Sequence, residues 1–187
     1  MIPIYLLPLG HADRAAIAAV GTRLGDVLGT LVSTREVVID LSRFFDERRL
    51  QYNSTSIITH LNERFAALSS ASVEGTLEPR LLAVIGEDLF IPILTFVFGE
   101  AQLNGRVAVV SYHRLANERY GLPPNPGLFH DRLFKEALHE LGHVFGLVHC
   151  VSQECVMHIS TYVEDIDIKP AAFCDDCRAL LPDIGSR

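Results

Sequence analysis

The chain has 187 residues, 49% of them hydrophobic and 21% charged, and a net charge of −7. That length and balance describe one globular domain with room for a real core. The acidic balance argues against a surface for duplex nucleic acid, which requires a basic face, and no stretch approaches the ~20 apolar residues of a membrane span. A net negative charge suits cationic or neutral partners, or is simply a solvated surface. The opening MIPIYLLPLG is apolar but short, lacks a basic start and carries Pro3 and Pro8. It reads as a buried strand over residues 2–7 ended by a PLG turn rather than as a signal peptide, and the expected location is cytoplasmic.

Apolar residues recur at helical spacing from Ala15 to Gly29, and the β-branched run of residues 34–42, TREVVIDLS, predicts a second strand. The charged stretch Asp46 to Asn53 reads as a connection. A helix follows over residues 56–68, with Asn53, Ser54 or Thr55 as its N-cap. From Arg80, RLLAVIG has the continuous apolar centre of a buried parallel strand. Strands alternating with helices predict a right-handed βαβ arrangement around a mostly parallel sheet.

LTFVFGEAQ (94–102) and RVAVVSYHRL (106–115) are joined by Leu103-Asn104-Gly105, the spacing of a hairpin, so one strand must run antiparallel to the rest. The first carries Gly99, Glu100 and Gln102, features better tolerated at an edge. A Pro/Gly loop over 121–127 then delivers a strongly striped helix over 128–145. Beyond Gly146 the periodicity fails, and the remaining ~40 residues look loop-rich.

That helix carries HELGHVFGLVHC, which holds three of the eight histidines. Residues four apart share a helix face, so His139 and His143 can grip one ion from consecutive turns. Glu140, about 100° round the wheel, sits at the rim of that site, placed to take a proton from water. His149 would lie roughly 120° off the face were the helix to continue. Gly146 ends it, because glycine adopts the left-handed conformation without steric cost, and the chain can then return His149 to the site.

Three neutral imidazoles leave one tetrahedral position open, as in catalytic zinc sites, where the metal acidifies its water and polarises a carbonyl. Glu140 would then serve as general base and as proton carrier to the leaving amine. The competing reading, incidental histidines on an ordinary helix, fits a bare HExxH far better than the full HExxHxxGxxH.

The four cysteines, Cys150, Cys155, Cys174 and Cys177, all lie in the last quarter of the chain. Cys150-x4-Cys155 and Cys174-x2-Cys177 form two chelating pairs, the pattern of a closed four-cysteine zinc site that would supply folding energy to a segment too poor in apolar residues for its own core. Two disulfides or free thiols are the alternatives. Met157, the only methionine after the first residue, reads as a soft plug beneath the imidazoles or as an ordinary core residue.

HELGHVFGLVH, the methionine of CVM and the upstream sheet resemble the metzincin clan of zinc peptidases. Cys150, Cys155, Met157 and CDDC at 174–177, with FVFGEAQ and IDIKPAAFCDDC, resemble its archaemetzincin family. The resemblance has specific motifs over roughly residues 80–180. It implies an α/β fold: a twisted mixed sheet, mostly parallel with one antiparallel edge strand, backing helices, an active-site helix, and a small irregular zinc-bound C-terminal subdomain. The whole chain would be one metallopeptidase domain, 1–187, with an N-terminal part at 1–146 and a C-terminal part at 147–187.

Two zinc ions are implied: a catalytic one on His139, His143 and His149, and a structural one on Cys150, Cys155, Cys174 and Cys177. Met157 matches the family's Met-turn. Substrate would pair with an edge strand formed by Thr95, Phe96, Val97, Phe98, Gly99, Glu100 and Ala101. Some metzincins add a tyrosine ligand two residues after the methionine; here that position is Ile159, and Tyr162 is the nearest tyrosine.

The expected function is hydrolysis of peptide bonds by zinc-bound water with Glu140 as general base. The partners are peptide or protein substrates, not nucleic acid or membrane, and the chain is expected to be a monomer. With no pro-segment ahead of the domain and no cysteine spare to block the metal, narrow specificity or a partly blocked cleft is expected. The rival readings are a latent or inactive peptidase scaffold acting as a zinc-stabilised binding protein, and a hydrolase of a non-peptide amide. Nothing is assigned to His113, His130, His158 or the carboxylate of Glu100.

Overall fold

The computed structural model describes residues 1–69 and 77–184. Strand β1 (Ile4–Leu9) leads into helix α1 (Arg14–Leu28), which Asp13 caps by accepting from the Ala15 and Ala16 amides. Then come β2 (Val32–Thr34), the short strands β3 (Phe45–Asp46) and β4 (Gln51–Asn53), and helix α2 (Ser54–Ser69). Strands β5 (Arg80–Ile85), β6 (Leu89–Phe90), β7 (Gly99–Ala101) and β8 (Val107–Ser111) follow. The long helix α3 (Pro126–Val144) and two short helices, α4 (Val163–Ile168) and α5 (Asp175–Leu180), complete the chain.

Five strands form the main sheet in the order β2-β1-β5-β8-β7. The first four run parallel, and β7 is antiparallel to β8 at the edge. The expected α/β fold, mostly parallel with one antiparallel edge, is the one observed. Side chains alternate across it as the strand period requires. Leu6, Leu82, Val84 and Val110 pack with residues of α1 and α3 on one face. Leu81, Ala83, Ile85 and Val109 pack with Ile57, Ile58 and Leu61 of α2 on the other. Pro8 lies beyond Leu6, the last residue of β1 that β2 pairs, so its missing amide falls where β1 has one neighbour only.

Three expectations need correction. The second strand is Val32–Thr34, not 34–42: after Arg35, whose amide still donates to Leu6 O, the chain leaves the ladder, although Val37, Ile39 and Leu41 still pack on the α2 side while Val38 is exposed. The Val38 carbonyl accepts from the Arg64 guanidinium of α2 rather than from a strand. Extended chain with alternating burial looks like a strand in sequence, and only pairing separates the two. The supposed connection at 46–53 instead supplies β3 and β4, which join β6 in a second, three-stranded sheet.

The third correction concerns the edge strand, which spans only residues 99–101 of the expected 95–101. Val97 forms an isolated antiparallel bridge with Leu89, its amide donating to the Leu89 carbonyl, so the small sheet covers the edge there. The preceding segment is anchored by side chains. Arg49 donates to the Leu94 and Pro92 carbonyls, and Gln51 Nε2 donates to both Thr95 O and the buried Asp88 carboxylate. Arg114 binds Asp88 through two nitrogens and lays its guanidinium 4.1 Å above the Phe96 ring.

The segment after Gly146 is less irregular than expected, with α4 and α5 in it. Its apolar residues Val156, Met157, Val163, Ile166 and Phe173 belong to the same cluster as α1, α3 and the sheet. Arg132 of α3 grips Asp167 with two nitrogens, and Lys135 donates to the Ile166 and Asp167 carbonyls, fastening α4 to α3.

Candidate active site

Helix α3 starts where Asn125 accepts from the Leu128 amide and Pro126 occupies its first turn, two residues ahead of the expected start. It stops at Gly146, whose φ of 98° belongs to the left-handed region. The Gly146 amide donates to His143 O and the Leu147 amide to Gly142 O, the paired bonds of a Schellman close. The hairpin tip between β7 and β8 docks on this end, with the Asn104 amide also donating to His143 O. The chain then turns back and brings His149 to the same place as His139 and His143.

One nitrogen from each of these three imidazoles lies within 4.8 Å of those of the others. His139 Nδ1 donates to Val156 O at 2.8 Å, and His143 Nδ1 donates to Leu147 O at 2.7 Å. Those bonds place the ring protons on Nδ1 and leave both Nε2 atoms bare. The two Nε2 atoms face each other at 3.1 Å. Two lone pairs at that distance repel unless a cation stands between them. Burial lowers the pKa of all three histidines, and the Lys169 ammonium acts in the same direction, favouring the neutral form in which an imidazole can bind a metal. The donor set fits zinc.

Glu140 is only 5% exposed and packs directly on the edge strand. A Cβ built on Gly99 would lie 2.5 Å from Glu140 Oε1 and 2.7 Å from its Cγ and Cδ. Burial pushes the Glu140 carboxyl well above the usual glutamate range, and neighbouring Glu136 pushes it further. Beneath the imidazoles, Met157 approaches α3 through a second glycine: a Cβ on Gly142 would lie 2.4 Å from the Met157 Sδ.

A cleft of about 570 Å³ runs across these groups, lined among others by Phe96, Phe98, Gly99, Glu100, Glu136, His139, Glu140, His143 and His149. Its rim carries the exposed apolar residues Leu94, Leu103, Val148 and Ile159. Hydrogen bonding along β7 alternates. Phe98 O accepts from Ser111, and the Gln102 amide donates to Val107 O. By that period Glu100 also faces β8, while Gly99 and Ala101 turn their amides and carbonyls to the open side. The Glu100 carboxylate accepts from the Ser54 and Thr55 hydroxyls at the start of α2, tying the edge strand to that helix.

The four cysteine sulfurs likewise lie within 4.8 Å of one another, with Cys150 and Cys174 3.9 Å apart and no disulfide among them. Cys155 and Cys177 are buried, which raises their thiol pKa values, whereas a backbone hydrogen bond from Cys177 lowers that of Cys174. Four converging sulfurs, two of them walled off from water, match a closed tetrahedral zinc site.

The sequence model of peptidase family M54 matches residues 28–183. The chain belongs to this family. Archaemetzincin from Methanocaldococcus jannaschii is 35% identical over 182 residues, covering 97% of this chain and 94% of that protein. The crystal structure of a zinc-dependent peptidase from Methanocorpusculum labreanum superposes with a TM-score of 0.85 at 31% identity, over 96% of this chain and 100% of that one. Archaemetzincin from Archaeoglobus fulgidus, crystallised with malonate, gives 0.77 at 31% identity over the same shares. The resemblance drawn from the sequence therefore holds, and with it the assignment of this M54 chain to the zinc metallopeptidases. Among the described residues, no helix is long and apolar enough to cross a membrane.

Sequence reasoning missed several residues that shape the M54 site here. Gly99 was legible as tolerated at an edge, yet its use is the close approach of Glu140; a glycine inside a strand is a general signal of such contacts. Gly142 sits inside a helix, where it costs about 1 kcal/mol against alanine, a sign that packing demands it. Glu136 and Lys169 form a buried ion pair at 2.8 Å beside the site. Tyr162 is 67% exposed and stands at the start of α4, outside the cleft lining. His158 Nδ1 donates to Cys150 O, and His113 Nδ1 to Gly86 O, both supporting backbone rather than facing substrate.

Proposed function

We propose that the chain hydrolyses peptide bonds in extended substrates of narrow range, with zinc on His139, His143 and His149 and Glu140 as general base. A second zinc is assigned to Cys150, Cys155, Cys174 and Cys177, and residues 1–146 and 147–187 are read as two parts of one domain. The observation that carries this reading is the facing pair of bare imidazole nitrogens beside a buried carboxylate in an apolar cleft. When bound, zinc supplies the Lewis acidity that activates water and the scissile carbonyl. Glu140 takes the proton from the attacking water and carries it to the leaving amine. Gly99 and Ala101 offer substrate backbone a short strand to pair with.

Two features support narrow specificity. Val97, the next outward-facing position along the edge, already bonds Leu89, so only two residues of open edge are left. The apolar rim favours substrates that can cover it. The test is digestion of a diverse peptide library under reducing conditions, read by mass spectrometry with zinc per chain quantified. Cleavage is expected and is expected to stop when a chelator removes the metal; cleavage that persists without metal would sink the proposal.

Gly99→Ala tests the close packing of strand against base. The methyl group cannot fit without displacing the Glu140 carboxylate, and an ångström of misplacement costs about 100-fold in rate. A loss of about that size, with both zincs retained, is the expected outcome. Unchanged kcat in a folded variant would show that the approach of Gly99 is incidental.

A further inference from the structure

On α3, Glu136 precedes His139 by three residues and Glu140 by four, so it shares their face about 5 Å nearer the helix start. It is 3% exposed, lines the cleft, and meets the equally buried Lys169 ammonium at 2.8 Å through Oε1. Ser160, in the segment just after Met157, lines the same cleft. Its hydroxyl oxygen is buried and has no hydrogen-bond partner among the described residues. A buried hydroxyl left unpaired is costly, and such groups in native proteins point to a missing partner.

We propose that Glu136 and Ser160 form a specificity pocket for a substrate side chain ending in a carboxamide, beside the scissile bond. The proposal rests on the peptidase reading above. The choice of group follows from what the pocket offers. Glu136 can only accept, and Ser160 can donate; a carboxamide supplies N–H donors for the first and a carbonyl for the second. A lysine or arginine side chain would bring its charge towards Lys169, whose ammonium already neutralises Glu136. A carboxylate would meet both Glu136 and Glu140. An aliphatic side chain would leave the buried Ser160 hydroxyl without a partner and Glu136 with its Lys169 ion pair alone, the situation that lets a polar pocket reject apolar analogues.

The experiment uses peptide pools in which one central residue is fixed as glutamine, asparagine, leucine, lysine or glutamate and the rest are random. Cleavage by the zinc-loaded wild type is measured alongside binding to zinc-loaded Glu140→Gln by fluorescence anisotropy. The carboxamide pools are expected to be preferred over the leucine pool by about tenfold, the scale of one well-made hydrogen bond. Ser160→Ala should reduce that preference to about parity. Glu136→Leu paired with Lys169→Met, which removes the ion pair without stranding a buried charge, should reverse it towards leucine. Leucine or lysine pools binding best to Glu140→Gln, or a carboxamide preference indifferent to Ser160→Ala, would overturn the inference. Carboxamide-selective binding without any cleavage would support the pocket and count against the peptidase reading instead.

Discussion

Replacing Glu140 with glutamine is expected to lower peptide hydrolysis by about 10²–10⁴-fold, the usual contribution of a positioned general base. The substitution is nearly isosteric, so packing against Gly99 is kept and only the ability to take a proton is lost. Glu140→Ala should lose as much, and both variants should retain their zinc because no ligand is touched. Stability should move the other way. Burial and the neighbouring Glu136 raise the Glu140 pKa, so in the folded chain its ionised form is disfavoured. Above the ordinary glutamate range an unfolded chain ionises this group freely, and the difference weakens the metal-free fold as pH rises. Glu140→Gln removes that penalty, and the metal-free variant is expected to melt at the same temperature as the wild type or higher at neutral pH. Activity falling while stability holds would identify a base kept at a cost to the fold. Equal kcat for wild type and Glu140→Gln would remove Glu140 from the chemistry.

The legible parts of this site are those that short-range geometry fixes. His139, Glu140 and His143 could be placed from a single helical period, and Gly146 from the need to end it, so spacing alone brings these residues together. The cysteine pairs were legible for the same reason. Illegible were contacts between segments far apart in sequence. Gly99 beneath Glu140, and Lys169 against Glu136, involve separations of 33 residues or more; a glycine inside a strand signals a close approach without naming its partner, and nothing local distinguishes Lys169 from a solvated lysine. The misplaced second strand has a related cause. TREVVIDLS has strand composition and keeps strand-like alternation of burial, but of its residues only Thr34, the last of Val32–Thr34, pairs with a residue of β1. Local composition sets extended chain; the ladder is decided by what lies alongside. β3, β4 and β6, of two or three residues each, are too short to leave a periodic signal at all.

The cysteine site leads to the second large effect, because its loop also builds the histidine site. Cys150 follows His149 directly, and the Cys150 amide donates to Met157 O. Cys155 is followed by Val156, whose carbonyl orients the His139 ring, and by Met157, which fills the space over Gly142. Cys177→Ser should therefore release both metals rather than one. Structural zinc contributes about 10–16 kcal/mol in isolated finger peptides. Here the segment shares the core of α1 and α3, so a smaller loss is expected. A loss of about 3–5 kcal/mol would lower Tm by about 10–15 °C in a chain of this length. His143→Ala provides the contrast: it should empty the histidine site alone, leaving one zinc per chain and most of the thermal stability. The asymmetry is expected because Val156 and Met157, which orient His139 and pack on Gly142, sit inside the cysteine loop, whereas the His143 ring holds only the Leu147 carbonyl ahead of it. Zinc stoichiometry measured beside Tm for the two variants reads that asymmetry directly. A Cys177→Ser chain that kept one zinc and melted with the wild type would show that the two sites are independent.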